Sequence, residues 1–196
     1  MTTSEKVVTI SIAAYNMEKY IRKTLDSLLD ERVIDDLEVL IVDDGGTDGT
    51  LAIAEEYAAK YPDSIFPVHK ENGGYGSVLN YTVPRAKGKY FRVLDGDDWL
   101  KTENLYDWVQ LLKTLDVDLV FSPYEKIFVN NGEVIHLDIC EDMPAGEYSF
   151  QEIKISNGVF NAGMTFRTEI LKVASIKLTE IVYIQIMNLS LTHCLL

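Results

Sequence analysis

One short run of carboxylates, Asp95-Gly96-Asp97-Asp98, has the residue types of a site for a hard cation. Carboxylate oxygens are the preferred ligands of such cations, and the intervening glycine lets alternating side chains converge on one ion. The run directly follows an apolar segment that ends at Leu94. A solvated acidic turn at the start of a helix explains the same residues without any ion. The run therefore predicts either a cation site or an exposed helix cap.

A second acidic turn, Asp43-Asp44-Gly45-Gly46, also follows an apolar segment. A carboxylate in this position can accept hydrogen bonds from a nucleobase imide or a ribose hydroxyl. A turn that merely caps the next helix is an equally good explanation of the motif taken alone.

Two further turns consist mainly of small residues. In Ala13-Ala14-Tyr15-Asn16 the alanines would let a ligand approach the backbone, and Tyr15 offers a ring on which a base can stack. Core packing is the alternative explanation of these residues. Asn72-Gly73-Gly74-Tyr75-Gly76 could turn its backbone N–H groups towards a diphosphate, but it is not a P-loop because no Lys-Ser or Lys-Thr closes it.

The four turns alternate with predicted strands and helices. Apolar, β-branched runs predict strands at residues 7–13, 37–42, 65–69 and 90–94. Helical periodicity predicts helices at residues 17–29 and 51–61, after the turn at 71–76 to about 86, and after 98. This alternation favours a mostly parallel sheet with right-handed crossovers. All four turns would then lie along one edge of the sheet, where open α/β folds bind ligands.

The second half of the chain has a different pattern. A strand is predicted at 117–121, a hairpin around Asn131-Gly132, and short helices at 149–155 and 166–173 around a loop at 157–165. We therefore predict an α/β half over residues 1–115 and a smaller α+β half of the same domain over 116–196.

Composition restricts the class of partner. The formal charge of −13 disfavours nucleic acid, whose phosphates attract basic clusters. The two cysteines, Cys140 and Cys194, have no metal-ligand spacing and are predicted to be reduced thiols. No secretion signal is found at the start, so the expected location is cytoplasmic. The apolar stretch 181–196 is interrupted by polar residues and too short to cross a membrane, so no transmembrane segment is predicted.

Seven segments occur in one order and spacing between Val7 and about Leu115. They are Ile12-Ala13-Ala14-Tyr15-Asn16, Tyr20-Ile21, Thr24-Leu25-Asp26-Ser27-Leu28, Val42-Asp43-Asp44-Gly45-Gly46-Thr47-Asp48-Gly49-Thr50, Glu71-Asn72-Gly73-Gly74, Ala86-Lys87-Gly88-Lys89-Tyr90 and Leu94-Asp95-Gly96-Asp97-Asp98-Trp99-Leu100. Together they resemble the family 2 glycosyltransferases with the GT-A fold, in which helices cover both faces of a mostly parallel sheet.

The resemblance implies roles for individual residues. Ala13 and Tyr15 would line a nucleobase pocket and Asp44 would contact the base. Asp95 and Asp97 would form the DxD motif, with Asp97 as the direct Mg²⁺ or Mn²⁺ ligand and Asp95 touching ribose or metal-bound water. The full implied nucleotide-binding set is Ala13, Tyr15, Asn16, Asp43, Asp44, Gly45, Asn72, Gly74 and Asp95.

The resemblance also implies a reaction. A sugar would pass from a nucleotide-diphosphate sugar, of the UDP type, to a saccharide or lipid-linked acceptor. Transfer would be a single in-line displacement with inversion, assisted by the cation and by a general base on the acceptor hydroxyl. An enzyme acting on lipid-linked acceptors would work at the inner face of the membrane, in peripheral association with it.

Several residues depart from the family pattern. Ala13 and Gly46 replace other small residues, whereas Leu79 stands where many members have an arginine near the diphosphate. That positive contact would then come from Lys70 or Arg85. The acidic segment that supplies the general base is expected after 161–167 and is missing from the sequence.

The missing base leaves Glu169 and Glu180 as the nearest carboxylates. A truncated or frameshifted end, affecting residues 181–188, is our hypothesis for this departure. A catalytically silent sugar-nucleotide-binding protein is the alternative function. A phosphohydrolase with Asp95 as nucleophile fits less well, because its acidic loop would be expected after the first strand.

Overall fold

The computed structural model describes residues 5–128, 130–156, 163–173 and 193–195. The strands are β1 (Val8–Ala14), β2 (Leu37–Asp44), β3 (Ile65–Lys70), β4 (Tyr90–Asp95), β5 (Leu119–Phe121), β6 (Tyr124–Phe128), β7 (Glu133–Leu137), β8 (Glu147–Ser149), β9 (Met164–Arg167) and β10 (His193–Leu195). The helices are α1 (Ile21–Asp26), α2 (Thr50–Lys60), α3 (Tyr75–Thr82), α4 (Thr102–Thr114) and α5 (Thr168–Val173).

An eight-stranded sheet with the order β3-β2-β1-β4-β9-β5-β10-β8 forms the centre of the fold. Strands β3, β2, β1 and β4 run parallel, while β9 lies antiparallel between β4 and β5. Strands β6 and β7 form a separate two-stranded sheet. The predicted α/β class with a mostly parallel central sheet is therefore confirmed.

The apolar runs of β1 and β4 become the buried middle of this sheet. On β4, Tyr90 and Leu94 pack into one apolar cluster with α1, α2 and α4, whereas Phe91 and Val93 pack into another with α3 and α5. Because successive side chains of a strand point to opposite faces, the sheet is covered on both sides. This double cover explains why Thr9 and Ser11, which alternate with the apolar residues of β1, are also buried.

The predicted helices of the first half are confirmed, and two of them are shorter than predicted. Helix α1 covers only Ile21–Asp26 of the predicted 17–29, and α3 ends at Thr82 before a 3₁₀ turn at Val83–Arg85. Pro84 lies in that turn, where its missing N–H and the clash of its ring with the preceding turn stop the α-helical ladder.

In the second half two predictions need correction. The predicted helix at 166–173 begins only at Thr168, and Met164–Arg167 is strand β9 instead. Its partners β4 and β5 are distant in sequence, so the local periodicity carries no sign of them. The predicted helix at 149–155 is one 3₁₀ turn at Phe150–Glu152. The hairpin around Asn131-Gly132 is confirmed, and the tail 181–188 lies outside the described residues.

Within the described ranges, no helix is long and apolar enough to span a bilayer.

Candidate active site

The four turns predicted to carry chemistry meet at one edge of the sheet. Three hydrogen bonds join them in pairs: Thr47 N donates to Asn16 Oδ1 at 2.8 Å, Gly96 N to Ala13 O at 3.0 Å, and Gly73 N to Asp44 Oδ1 at 3.1 Å. Each turn follows the carboxyl end of a strand in the parallel part of the sheet. The sequence-based expectation that these turns gather along one edge of the sheet is therefore confirmed.

Close backbone approach makes glycine necessary at Gly45. It has φ of +79°, in the left-handed region, and a Cβ there would lie 2.8 Å from the backbone nitrogen of Asn72. A side chain at this position would push the second and third turns apart. The second turn can therefore lie directly against the third.

Asp43 is buried and bonded through both carboxylate oxygens. Its Oδ1 accepts from Gly46 N at 3.0 Å, and its Oδ2 lies 2.7 Å from Nδ1 of His69. The side chain of His69 is about half exposed, 49 %, at the end of β3. Asp43 thus connects the edge strand β3 to the turn after β2.

Asp44 is the centre of a second buried network. Its Oδ1 accepts hydrogen bonds from Lys70 Nζ, Gly73 N and the hydroxyl of Ser77. Lys70 also donates to Ser77 Oγ at 2.9 Å. The ammonium of Lys70 therefore neutralises the charge of the Asp44 carboxylate, and this carboxylate orients the glycine-rich turn.

Lys70 and Arg85 are the two cations considered as substitutes for the family arginine. Lys70 is held by Asp44, as described above. Arg85 donates to the carbonyl oxygen of Tyr81 at 2.8 Å and stacks over the ring of the same residue. Both side chains therefore already have partners within their own part of the fold.

The acidic turn after β4 concentrates negative charge. Asp95 Oδ1 is buried without a hydrogen-bond partner, and burial raises the pKa of Asp95 although a hydrogen bond from Tyr75 opposes the shift. Partial desolvation, with repulsion from Asp95 and Asp97, raises the pKa of Asp98 to about 6. Asp97 itself is exposed at the tip of the turn. Within the described part of the chain, no cationic side chain contributes to the pKa shift of Asp95 or of Asp98.

This charge deficit fits a divalent cation. A buried carboxylate oxygen without a donor is costly unless an ion or water completes its coordination. Among the residues that the structure describes, no group of three or more His, Cys, Asp or Glu side chains is arranged to hold a metal ion. Asp95 and Asp97 would therefore be part of a shell completed by oxygens that a ligand and water supply.

The residues of the first turn differ in how accessible they are to a nucleobase. Tyr15 is 51 % exposed, so its ring is available for stacking. Ala13 is half-buried in β1 and pairs with Asp95 of β4 and Val42 of β2, so it stands between the two acidic turns. Asn16 has φ of +55°, and its side chain caps the second turn at Thr47.

Sequence reasoning assigned no individual role to three residues that contact the turns: His69, Tyr75 and Thr24. His69 is the partner of Asp43, and Tyr75 is that of Asp95. The hydroxyl of Thr24 reaches the acidic turn from α1. A signal for Thr24 was present, since a polar residue three positions after Ile21 falls on the apolar face of the helix.

Comparison with known proteins gives concordant matches. The family described as Glycosyl transferase family 2 matches residues 9–173. A putative glycosyltransferase of Bacillus subtilis (strain 168), EpsH, is 36% identical over 146 residues, which are 72% of this chain and 41% of the relative. The chain thus spans less than half the length of that relative.

Solved structures show the same fold. S. aureus TarS 1–349 in complex with UDP matches with a TM-score of 0.71 and 26% identity over 89% of this chain and 50% of that one. The complex with UDP-GlcNAc gives a TM-score of 0.69 and 27% identity, over 87% and 48% of the two chains. Mannosyltransferase PcManGT from Pyrobaculum calidifontis, solved with GDP-Man and Mn²⁺, has a TM-score of 0.59 at 22% identity, covering 88% and 48%.

Proposed function

This chain belongs to glycosyl transferase family 2, and from that premise we propose that it transfers a sugar from a UDP-type nucleotide sugar to a saccharide or lipid-linked acceptor. The observation that carries the proposal is the junction of the four turns, with the buried and unpartnered Asp95 Oδ1 at its acidic end. Support for the donor class comes from TarS, which was solved with UDP and with UDP-GlcNAc.

The two acidic turns would bind opposite ends of the donor. At the base end, the exposed ring of Tyr15 stacks on the nucleobase beside Ala13, and Asp44 accepts a hydrogen bond from the base. At the diphosphate end, Asp97 and Asp95 hold Mg²⁺ or Mn²⁺. When bound, the cation offsets charge on the departing diphosphate. The remaining members of the proposed nucleotide site are Asn16, Asp43, Gly45, Asn72 and Gly74.

Inverting transfer also needs a general base near the acceptor hydroxyl. Glu169 is a poor candidate because the preceding Thr168 bonds to Lys89 O and Gly88 O, at the start of β4. Asp95 lies at the other end of that strand, six residues long, which places Glu169 about 20 Å from the acidic turn. Glu180 lies outside the described residues.

The position of Glu169 gives weight to a second candidate function. A chain that binds the donor but has no base would be a silent sugar-nucleotide-binding protein. Both candidates require donor binding, and only the first requires turnover. Binding and transfer must therefore be measured separately.

A thermal-shift panel of UDP, GDP and their sugars, with Mn²⁺ or with EDTA, tests the shared step. Ligands that bind only the native state raise its stability, by about 5–10 °C at roughly 100 times Kd for a domain of this size. We expect a shift with UDP and Mn²⁺ that EDTA reduces. No shift with any nucleotide would reject both candidates, and binding without donor hydrolysis or transfer would favour the silent protein.

A further inference from the structure

Helix α1 and its C-cap residue Ser27 make three contacts with the acidic turn and the residues directly after it. Thr24 Oγ1 donates to the carbonyl oxygen of Gly96 at 3.0 Å. The ammonium of Lys23 lies 3.1 Å from the ring centroid of Trp99. Leu100 N donates to Ser27 Oγ at 3.1 Å. These contacts therefore hold the second residue of the turn, Gly96, and the two residues that follow the turn, Trp99 and Leu100.

The contact from Thr24 acts on the peptide group that precedes Asp97. Gly96 is bonded on both sides, because its N–H donates to Ala13 O at 3.0 Å while its carbonyl accepts from Thr24. The carbonyl of Gly96 and the N–H of Asp97 belong to one planar group. Fixing that plane fixes the position of the Asp97 Cα, and the bond from Asp98 N to Asp95 O at 3.0 Å restrains the peptide group on its other side.

Thr24 does not use the bond that a helical threonine usually makes. A threonine hydroxyl inside a helix often donates to the carbonyl four residues earlier. Thr82 does so in this protein, donating to Val78 O at 3.0 Å. Thr24, which is 1 % exposed, instead donates to a residue 72 positions away. Its hydroxyl is thus used between elements rather than within its own helix.

The helix that carries Thr24 is itself firmly anchored. Ile21 and Leu25 are completely buried in the larger apolar cluster. The hydroxyl of Tyr57 in α2 donates to Asp26 Oδ1 at 2.6 Å. The Thr24 hydroxyl is therefore attached to a support that the rest of the core keeps in place.

We propose that Thr24 is a positioning residue that sets the backbone position from which Asp97 presents its carboxylate to the cation. This inference rests on the proposed function, since it takes Asp97 as a metal ligand. Mutation of a residue that holds a metal ligand in place typically lowers metal affinity by about 10- to 100-fold. We expect an effect of this size on cation-dependent nucleotide binding and none on nucleotide binding without cation.

The test uses three variants of the whole chain. Thr24→Val keeps the shape and removes the donor, and Thr24→Ser keeps the donor. Thr168→Val is the matched control, because the Thr168 hydroxyl donates to another glycine carbonyl, Gly88 O at 2.6 Å, and Thr168 is also buried. UDP affinity is measured by calorimetry over a range of Mn²⁺ concentrations and again in EDTA.

The expected result is a rise of about tenfold or more in the Mn²⁺ concentration that half-saturates UDP binding for Thr24→Val. Thr24→Ser and Thr168→Val should remain near the wild type, and UDP binding in EDTA should not change in any variant. The inference would be overturned if Thr24→Val and Thr168→Val required the same Mn²⁺ concentration for half-saturation of UDP binding. This holds even if both variants lose thermal stability to the same extent. A wild-type chain that binds no UDP would instead reject the proposed function.

Discussion

Strand β1 and the hairpin β6–β7 differ in how deeply their apolar side chains are buried. Every residue of β1 from Val8 to Ile12 is buried, and the strand pairs on both sides with parallel neighbours. The hairpin exposes apolar side chains on both faces, with Ile127 at 39 %, Val134 at 43 % and Ile135 at 38 %. Three of the four candidate turns follow strands that pair on both sides, β1, β2 and β4, and such a strand fixes where its end points. The remaining turn, after the edge strand β3, is held by its bond to Asp44.

The described contacts between the hairpin and the rest of the fold include a charged cluster. Glu125 of β6 accepts a hydrogen bond from Lys101, at the start of α4, and lies 2.9 Å from Nδ1 of His136. Lys101 is the main reason that the pKa of Glu125 is lowered. Partly exposed ion pairs stabilise weakly compared with apolar burial. The two regions should therefore differ sharply in what a mutation costs.

A pair of isoleucine truncations measures this difference directly. Ile10→Ala in β1 removes a completely buried side chain and should lower the free energy of unfolding by about 2–5 kcal/mol. Ile135→Ala in β7 removes a side chain that is already 38 % exposed and should cost less than about 1 kcal/mol. Urea unfolding of both variants gives the two values. Equal costs would mean that the hairpin is packed as tightly as the central sheet.

Removal of the proposed cation ligand should have the next largest effect. Asp97→Ala should weaken Mn²⁺-dependent UDP binding more than the mutation of a residue that only positions a ligand, which typically costs about 10- to 100-fold. Because Asp97 is exposed, the melting temperature should hardly change. Asp107→Ala, an exposed aspartate on α4, serves as the control in the same titration. Unchanged affinity in Asp97→Ala would exclude Asp97 as a ligand.

Asp44 should combine a structural and a binding effect. Asp44→Asn leaves Lys70 without its buried counter-charge, which should cost about 1–3 kcal/mol of stability and about tenfold in UDP affinity. The Mn²⁺ dependence should stay the same. Glu38→Gln is the control, since Glu38 is a buried carboxylate at the opposite end of β2 that accepts from Thr9 and Lys87. Equal loss of UDP affinity in both variants would contradict the proposed contact between Asp44 and the nucleobase.

The same contrast explains how much could be predicted from the sequence. Strands β1 to β4 and the turns after them are marked by continuous apolar runs and by local Gly and Asp signals, so their positions were predicted to within about two residues. Strand β9 was missed because its stability depends on β4 and β5, far away along the chain. Local patterns carry no information on such partners.

Within the site, residue types were predictable but pairings were not. The acidic turns were identified from their spacing, whereas the use of Lys70 by Asp44 and of His69 by Asp43 depends on the register of β2 with β3. The contact of Thr24 with Gly96 likewise depends on how α1 packs across the sheet edge. These contacts join elements whose relative placement is set by the whole core.

The smallest expected effect concerns the charged cluster that connects the hairpin to α4. Glu125→Gln removes the acceptor charge for Lys101 and should lower the melting temperature at neutral pH by less than about 2 °C. The folded pKa of Glu125 lies below its unfolded value, so its contribution is present above the unfolded pKa and is lost as the pH falls through the folded one. The difference in melting temperature between wild type and variant should therefore disappear as the pH falls below about 4.5. It should also become smaller in high salt. A difference that persists in acid would mean that Glu125 supports the hairpin by packing rather than by charge.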